Sequence, residues 1–181
     1  LTKICRRDNP QMVVAAFEQR LGRLDELAAP EGVWVALEGI KDPGNLGTII
    51  RTVDSVGAAG VILVGDTTDP FALEAVRATM GSLFHVPLIA ASWPEFAAWK
   101  RACGIRVWGT HLKGAVDYRG VAWPATCVVM MGNEQSGLPD AAVALCDGIV
   151  KIPMAGKADS LNLAVATAVM LYEVRRGALG V

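Results

Sequence analysis

The chain of 181 residues has no apolar run near the ~20 residues needed to cross a bilayer. The longest candidate, residues 161–171, is short and is interrupted by Asn162 and Thr167. No basic stretch followed by an apolar one stands at the start, so nothing reads as a secretion signal. The four cysteines, Cys5, Cys103, Cys127 and Cys146, form no C-x-x-C pair, and His85 and His111 lie far from them in sequence. A zinc site needs about four clustered nitrogen or sulfur ligands, so no protein-bound metal is expected. The thiols read as reduced, mostly buried side chains of a cytoplasmic protein. An excess of positive charge is also missing. Net charge is −1 and the pI about 6.1, which weighs against a broad nucleic-acid footprint. Lys3, Arg6, Arg7, Arg20 and Arg23 do concentrate cations near the start, and charge alone reads them as a solvated lead-in. Internal repeats, low-complexity tracts and the Gly-x-Gly-x-x-Gly dinucleotide fingerprint are absent too.

What is present is a core. Apolar residues make up 52% and charged residues 19%, enough for one packed domain and too apolar for a disordered chain. Residues 1–31 are more polar and end in Ala-Ala-Pro-Glu-Gly, which reads as a linker or extension ahead of a main domain spanning 32–181. The chain begins with Leu1 rather than Met and reads as a piece of a longer protein.

From Val33 onward short apolar runs alternate with helix-like stretches. Strands are expected over 33–37, 61–64, 86–90, 105–109, 127–131 and 148–152. Helices are expected from Pro43 to about Val56, over 71–80, over 94–103, from Pro139, and finally from a cap at Asp159 or Ser160 to about Arg176. Gly177 is the expected stop of the last helix. This alternation predicts an α/β domain with a mainly parallel sheet covered by helices on both faces.

Three junctions that follow strands carry the chemistry. The first runs EGIKDPGNLGTIIR from Glu38 to Arg51. Gly44 and Gly47 would let backbone approach a ligand, and Asn45 stands where a helix start offers free N–H groups. Arg51, roughly 240° from Asn45 around a helix, reads on this segment alone as a surface partner of Asp54. In the second, MGNEQSG from Met131 to Gly137, Glu134 places one carboxylate at the sheet edge, where open α/β folds bind ligands, although a carboxylate near a helix start fits as well. The third is IPMAGKADSLNLAVA from Ile152. Ser160 reads as a helix cap. Asn162, set among Leu161, Leu163, Ala164 and Val165, must find polar partners, and a ligand-facing role is favoured over a satisfied core amide.

The order Asn-x5-Arg, then Gly-Asn-Glu-x-x-Gly-Leu, then Ile-Pro-Met-x-Gly with Ser-Leu-Asn-Leu-Ala-Val-Ala resembles the three signature motifs of the SpoU (TrmH-like) family of RNA ribose 2′-O-methyltransferases. The likeness covers about residues 33–176, with Gln135 standing where many members carry Gly. The resemblance implies transfer of a methyl group from S-adenosylmethionine to a ribose 2′-hydroxyl of rRNA or tRNA, on a fold with a C-terminal trefoil knot, in a homodimer to which the last helix contributes. It implies a cofactor site at Thr110, His111, Leu112, Gly132, Asn133, Ile152, Met154 and Leu161, and a reaction site at Arg51, Asn45, Glu134, Ser160 and Asn162. Arg51 would meet the target ribose or its phosphate, while Glu134 and Asn45 fix it and its loop. It also makes residues 1–31 the remnant of a link to an RNA-binding domain. Two other functions compete. A non-catalytic S-adenosylmethionine or nucleotide-binding module would not need all five reaction-site residues together. A nicotinamide-dependent oxidoreductase would need the missing glycine fingerprint and an acidic partner about 20 residues on.

Overall fold

The computed structural model describes residues 15–112 and 116–180; Cys5, Lys3, Arg6 and Arg7 lie outside them. Seven strands of the described residues form one sheet: β1 (Val33–Glu38), β2 (Gly60–Val64), β3 (Leu88–Ala91), β4 (Val107–Thr110), β5 (Val116–Asp117), β6 (Cys127–Met131) and β7 (Gly148–Lys151). Their order is β3-β2-β1-β6-β4-β7-β5, and every pairing is parallel. The central strands read VWVALE, GVILV and CVVMM and are buried almost throughout, as expected where helices cover both faces. The two-residue strand β5 was not expected from the sequence.

Among the described residues five helices cover the sheet: α1 (Pro43–Ser55), α2 (Leu73–Ala78), α3 (Trp93–Cys103), α4 (Asp140–Leu145) and α5 (Leu163–Val174). Successive side chains of a strand point to opposite faces, and β1 shows it. Val33, Val35 and Leu37 pack with Ile49, Ile50 and Val53 of α1 and Met170 and Leu171 of α5. Trp34 and Ala36 pack on the other face with Phe96 and Trp99 of α3 and Ala142 of α4.

Local chemistry sets the ends. In α1, Asp42 caps by accepting from the Asn45 N–H, and Pro43 fills the first helical position, where its fixed φ and missing donor cost nothing. In α3, Ser92 and Glu95 form a reciprocal capping box, and Gly104 closes the helix at φ 67°. Helix α2 is shorter than the expected 71–80, because the chain leaves it through Met80 at φ 50° and Gly81 at φ 102°.

Two expectations are corrected. The last helix is capped by Asn162, not by Asp159 or Ser160, and ends at Val174 with Arg175 as its C-cap. Gly47 serves packing rather than a ligand: a Cβ there would come within 2.3 Å of the Ala75 carbonyl oxygen and 2.6 Å of the Ala78 Cβ. Its bare Cα is what lets α2 lie against α1.

Part of the stretch drawn as a linker is packed against the domain. The Gly22 N–H donates to the Leu88 carbonyl at 2.8 Å, in a parallel bridge beside Ile89 on the β3 edge. Leu24 is buried, and the Trp99 indole donates to the Leu27 carbonyl at 2.7 Å.

Candidate functional site

The site lies beyond the carboxyl ends of β1, β4, β6 and β7, where open parallel sheets present loops to ligands. Two cavities, of about 230 and 490 Å³, share a wall made by Asn133, Glu134, Gln135, Ser160, Leu161 and Leu163.

The smaller is floored by Thr110, His111 and Leu112 after β4, by Met131 and Gly132 after β6, and by Lys151, Ile152 and Met154 after β7. All eight residues expected to hold the cofactor line it. Its floor has little room for side chains. The Gly132 backbone passes so close to the following loop that a Cβ would stand 2.2 Å from the Gly137 carbonyl carbon and the Leu138 nitrogen. That loop is tied by paired backbone hydrogen bonds between Asn133 and Gly137, at 3.2 and 3.0 Å. The Asn133 side chain clamps it further: its oxygen accepts from the Gln135 N–H, and its amide donates to the Gly39 carbonyl at 2.7 Å. Close backbone, apolar walls and a few polar groups suit an adenosine-type ligand, so the residues fit the implied group.

The larger cavity is bounded by Lys41, Asp42, Asn45 and Asn162 together with the shared wall. A chain of hydrogen bonds runs through it. Glu134 accepts from the backbone N–H of Lys41 at 3.4 Å, from that of Asp42 at 3.3 Å and from the Asn45 amide at 3.3 Å. The Asn45 oxygen accepts from the Asn162 amide at 3.0 Å, and the Asn162 oxygen caps α5 on Ala164 and Val165. Asn162 is therefore an exposed cap just ahead of the helix rather than an amide within it. Outside this network the Lys41 ammonium pairs with the Asp66 carboxylate at 2.7 Å. At the end of β1, burial raises the Glu38 carboxyl above its ordinary pKa, with hydrogen bonds from the Asn133 backbone and the Trp93 side chain and the charge of Lys41 opposing.

Four of the five expected reaction-site residues, Asn45, Glu134, Ser160 and Asn162, thus meet at one cavity. Arg51 does not join them. It lies exposed on α1, lines neither cavity, and its guanidinium makes no ion pair or hydrogen bond among the described residues, including with Asp54. Sequence reasoning passed over Lys41, Asp42, Lys151, Leu163 and Ala166 as lining residues. An Asp directly before a Pro-led helix is a cap signal that could have singled out Asp42. Among the described residues no group of three or more His, Cys, Asp or Glu could hold a metal ion, and no helix is long and apolar enough to cross a membrane.

The chain is similar to several known proteins. A family model described as the SpoU rRNA Methylase family matches residues 32–172. A 23S rRNA (guanosine(2553)-2′-O)-methyltransferase, RlmP, of Bacillus subtilis is 32% identical over 93% of this chain and 66% of its own length. A 23S rRNA (uridine(2479)-2′-O)-methyltransferase of Streptomyces viridochromogenes is 37% identical over 94% of this chain and 62% of its own. The chain therefore spans just under two thirds of these relatives. The crystal structure of an AdoMet-bound rRNA methyltransferase from Sinorhizobium meliloti superposes with a TM-score of 0.93 at 54% identity, covering 97% of this chain and 68% of the other.

Proposed function

Because this chain belongs to the SpoU rRNA methylase family, we propose that it transfers a methyl group from S-adenosylmethionine to a ribose 2′-hydroxyl of structured RNA. The observation that carries the reading is the shared wall: an apolar, backbone-lined cleft and a polar cavity are divided by the same loops, at Asn133 to Gln135 and Ser160 to Leu163. A methyl donor on one side and a hydroxyl acceptor on the other is the use such a pair of cavities suits. The relatives named for 23S rRNA and the AdoMet-bound neighbour support rRNA as the substrate class and S-adenosylmethionine as the donor.

When bound, S-adenosylmethionine supplies an activated methyl on a sulfonium leaving group, so the protein has to bind, orient and manage one proton. Positioning of this kind lowers barriers by up to roughly 7–11 kcal/mol. In this reading Gly132, Ile152, Met154, Leu161 and the turn from Thr110 to Leu112 hold the adenosine. Glu134, Asn45 and Asn162 lock the two helix starts around the polar cavity, and the Ser160 hydroxyl faces the incoming ribose. Arg51 serves the phosphate beside the target ribose from outside the cavity, through the bidentate geometry a guanidinium offers.

The unit that does this is 32–181, with residues 1–31 leading to it and contributing their packed part, residues 22–27. The family likeness supports a trefoil knot built from the loops after β4, β6 and β7, a homodimer joined at α5, and a cytoplasmic site of action where rRNA is processed. A non-catalytic binding module would use only the smaller cavity and leave the polar one without purpose. Incubation with labelled S-adenosylmethionine and total RNA, followed by mapping of the modified nucleotide, tests the proposal. A 2′-O-methylated ribose is expected. Thermal stabilisation by S-adenosylhomocysteine with no methyl transfer to any RNA would favour the binding module instead.

A further inference from the structure

We infer that Asp42 is the proton acceptor of the reaction, the group that receives the hydrogen of the ribose 2′-hydroxyl as the methyl is transferred. The inference rests on the 2′-O-methyltransferase reading and deepens it. Ionisable side chains in the polar cavity are few: Lys41, Asp42 and Glu134. Glu134 is committed, since its two oxygens face the N–H groups of Lys41 and Asp42 and the amide of Asn45. A proton placed on it would set a donor against donors and loosen both helix starts. Lys41 is a cation held on the Asp66 carboxylate and backbone carbonyl at 2.7 and 2.8 Å, so its charge is turned away from the neighbouring aspartate. Ser160 would need a base of its own, and Arg51 lines neither cavity.

Asp42 has a spare oxygen. Its Oδ1 accepts from the Asn45 backbone N–H to cap α1, while no hydrogen bond to Oδ2 exists among the described residues, and the residue is exposed at the cavity. Protonation at Oδ2 therefore leaves the cap intact, and water can carry the proton away afterwards. The step balances. The hydroxyl O–H bond breaks, and an oxygen lone pair forms the new bond to the methyl carbon. The electron pair of the carbon–sulfur bond stays on sulfur to give neutral S-adenosylhomocysteine, and the proton moves to Asp42 and then to solvent.

The cap and the base make opposite demands on a substitution, and this separates them. Asn is among the best helix N-caps, whereas Glu is not among the preferred ones, so Asp42→Asn keeps the cap and loses the base while Asp42→Glu keeps a carboxylate and weakens the cap. Thermal melts, S-adenosylhomocysteine affinity by calorimetry, and kcat with RNA are measured for both variants and the unaltered chain. We expect Asp42→Asn to melt and bind S-adenosylhomocysteine like the unaltered chain with kcat lower by about 100-fold or more, the range for loss of a general base. Asp42→Glu should melt lower yet recover kcat at least tenfold over Asp42→Asn. An Asp42→Asn variant keeping more than a third of the normal kcat, or an Asp42→Glu variant no faster than it, would overturn the assignment while leaving the methyltransferase reading intact. An unaltered chain that binds S-adenosylhomocysteine and methylates no RNA would overturn both.

Discussion

Asn162 and Asn45, 117 residues apart, are joined by a hydrogen bond of 3.0 Å from the amide nitrogen of the first to the amide oxygen of the second. The direction of that bond is forced. The Asn162 oxygen faces the N–H groups of Ala164 and Val165, so its nitrogen must be the end that meets Asn45. Asn45 then presents its own nitrogen to Glu134, whose Oε1 accepts it at 3.3 Å. One orientation thus runs from the cap of α5 to the loop after β6, and it locks the start of α1 on the way.

Asn162→Asp tests this directly. The substitution keeps a capping oxygen and deletes the donor, setting a carboxylate against the Asn45 oxygen. Asn162→Ala deletes both and should cost about 1 kcal/mol through the cap alone. We expect Asn162→Asp to melt above Asn162→Ala, and both to transfer methyl at least about tenfold more slowly, roughly the effect of 1.4 kcal/mol. Initial rates for Asn162→Asp equal to those of the unaltered chain would show that the relay does not matter to the reaction.

The sheet and its helices were legible in the sequence because buried parallel strands are written as continuous apolar runs, and β1, β2 and β6 are such runs. The start of α5 was misplaced for a physical reason. Ser160 and Asn162 are both good caps, and only the bond to Asn45, a long-range contact, decides between them. Gly47 misled in the same way. A glycine near a helix start looks like ligand-facing backbone until the neighbouring α2, unseen in one dimension, is found in its space. Asp42 reads in one dimension as an ordinary cap before a proline, and only the fold sets it at the edge of the cavity. The order of the strands, and hence the meeting of the loops after β4, β6 and β7, is set by long-range pairing that local pattern does not record.

Gly132 and Gly156 offer a matched pair. Both lie in the loops of the site, but a Cβ at Gly132 would stand 2.2 Å from backbone atoms of Gly137 and Leu138, whereas one at Gly156 meets nothing within 4 Å. Gly132→Ala must push the loop after β6 off the cleft floor. Calorimetry should show S-adenosylhomocysteine affinity falling at least about tenfold, some 1.4 kcal/mol, while Gly156→Ala binds as before. Equal affinities would mean that this close approach is not part of the cofactor site.

Arg51→Ala separates binding from transfer. Arg51 is exposed and outside both cavities, so its loss should leave S-adenosylhomocysteine affinity within about twofold. Methyl transfer to RNA should nevertheless fall steeply, if Arg51 supplies the charge proposed for the RNA phosphate. A loss of cofactor affinity in calorimetry would place the residue elsewhere.

The thiols give a test of the core. Burial pushes Cys127 and Cys146 up to about 11, with Lys100 pulling Cys146 slightly the other way and Asp147 adding to the rise. The thiolate is the reactive form, and at pH 8 it would be about one part in a thousand for such a group. A folded sample treated with a maleimide at pH 8 should therefore show little modification at Cys127 and Cys146 by peptide mass spectrometry, and full modification at both in guanidinium. Since the shift is upward, reactivity should rise as the pH climbs toward 11. Fast labelling of the native protein at Cys127 would mean that β6 is not sealed between the two cores.

The outer face of α5 leads to the last prediction. Val165 and Tyr172 are 49% and 53% exposed, Val169 lies between them at helical spacing, and Leu161 is partly uncovered just ahead of the cap. Apolar side chains repeated on one exposed helix face suit a partner surface better than water. The other face of α5 is already used: Met170 and Leu171 are sealed in the core, so the outward strip can change without emptying the interior. Leu161 also belongs to the wall between the two cavities, so a second copy seated on this strip would stand at the rim of the site. We expect the chain to sediment as a dimer at tens of micromolar, an order of magnitude suited to an interface of about 800 Å² per partner. Val165→Lys with Tyr172→Lys should give monomers with unchanged circular dichroism, because neither side chain is buried in the protomer. Weaker S-adenosylhomocysteine binding should accompany dissociation, since the rim would lose its support. A monomer in the unaltered chain would defeat the prediction, and so would a double variant that stays dimeric.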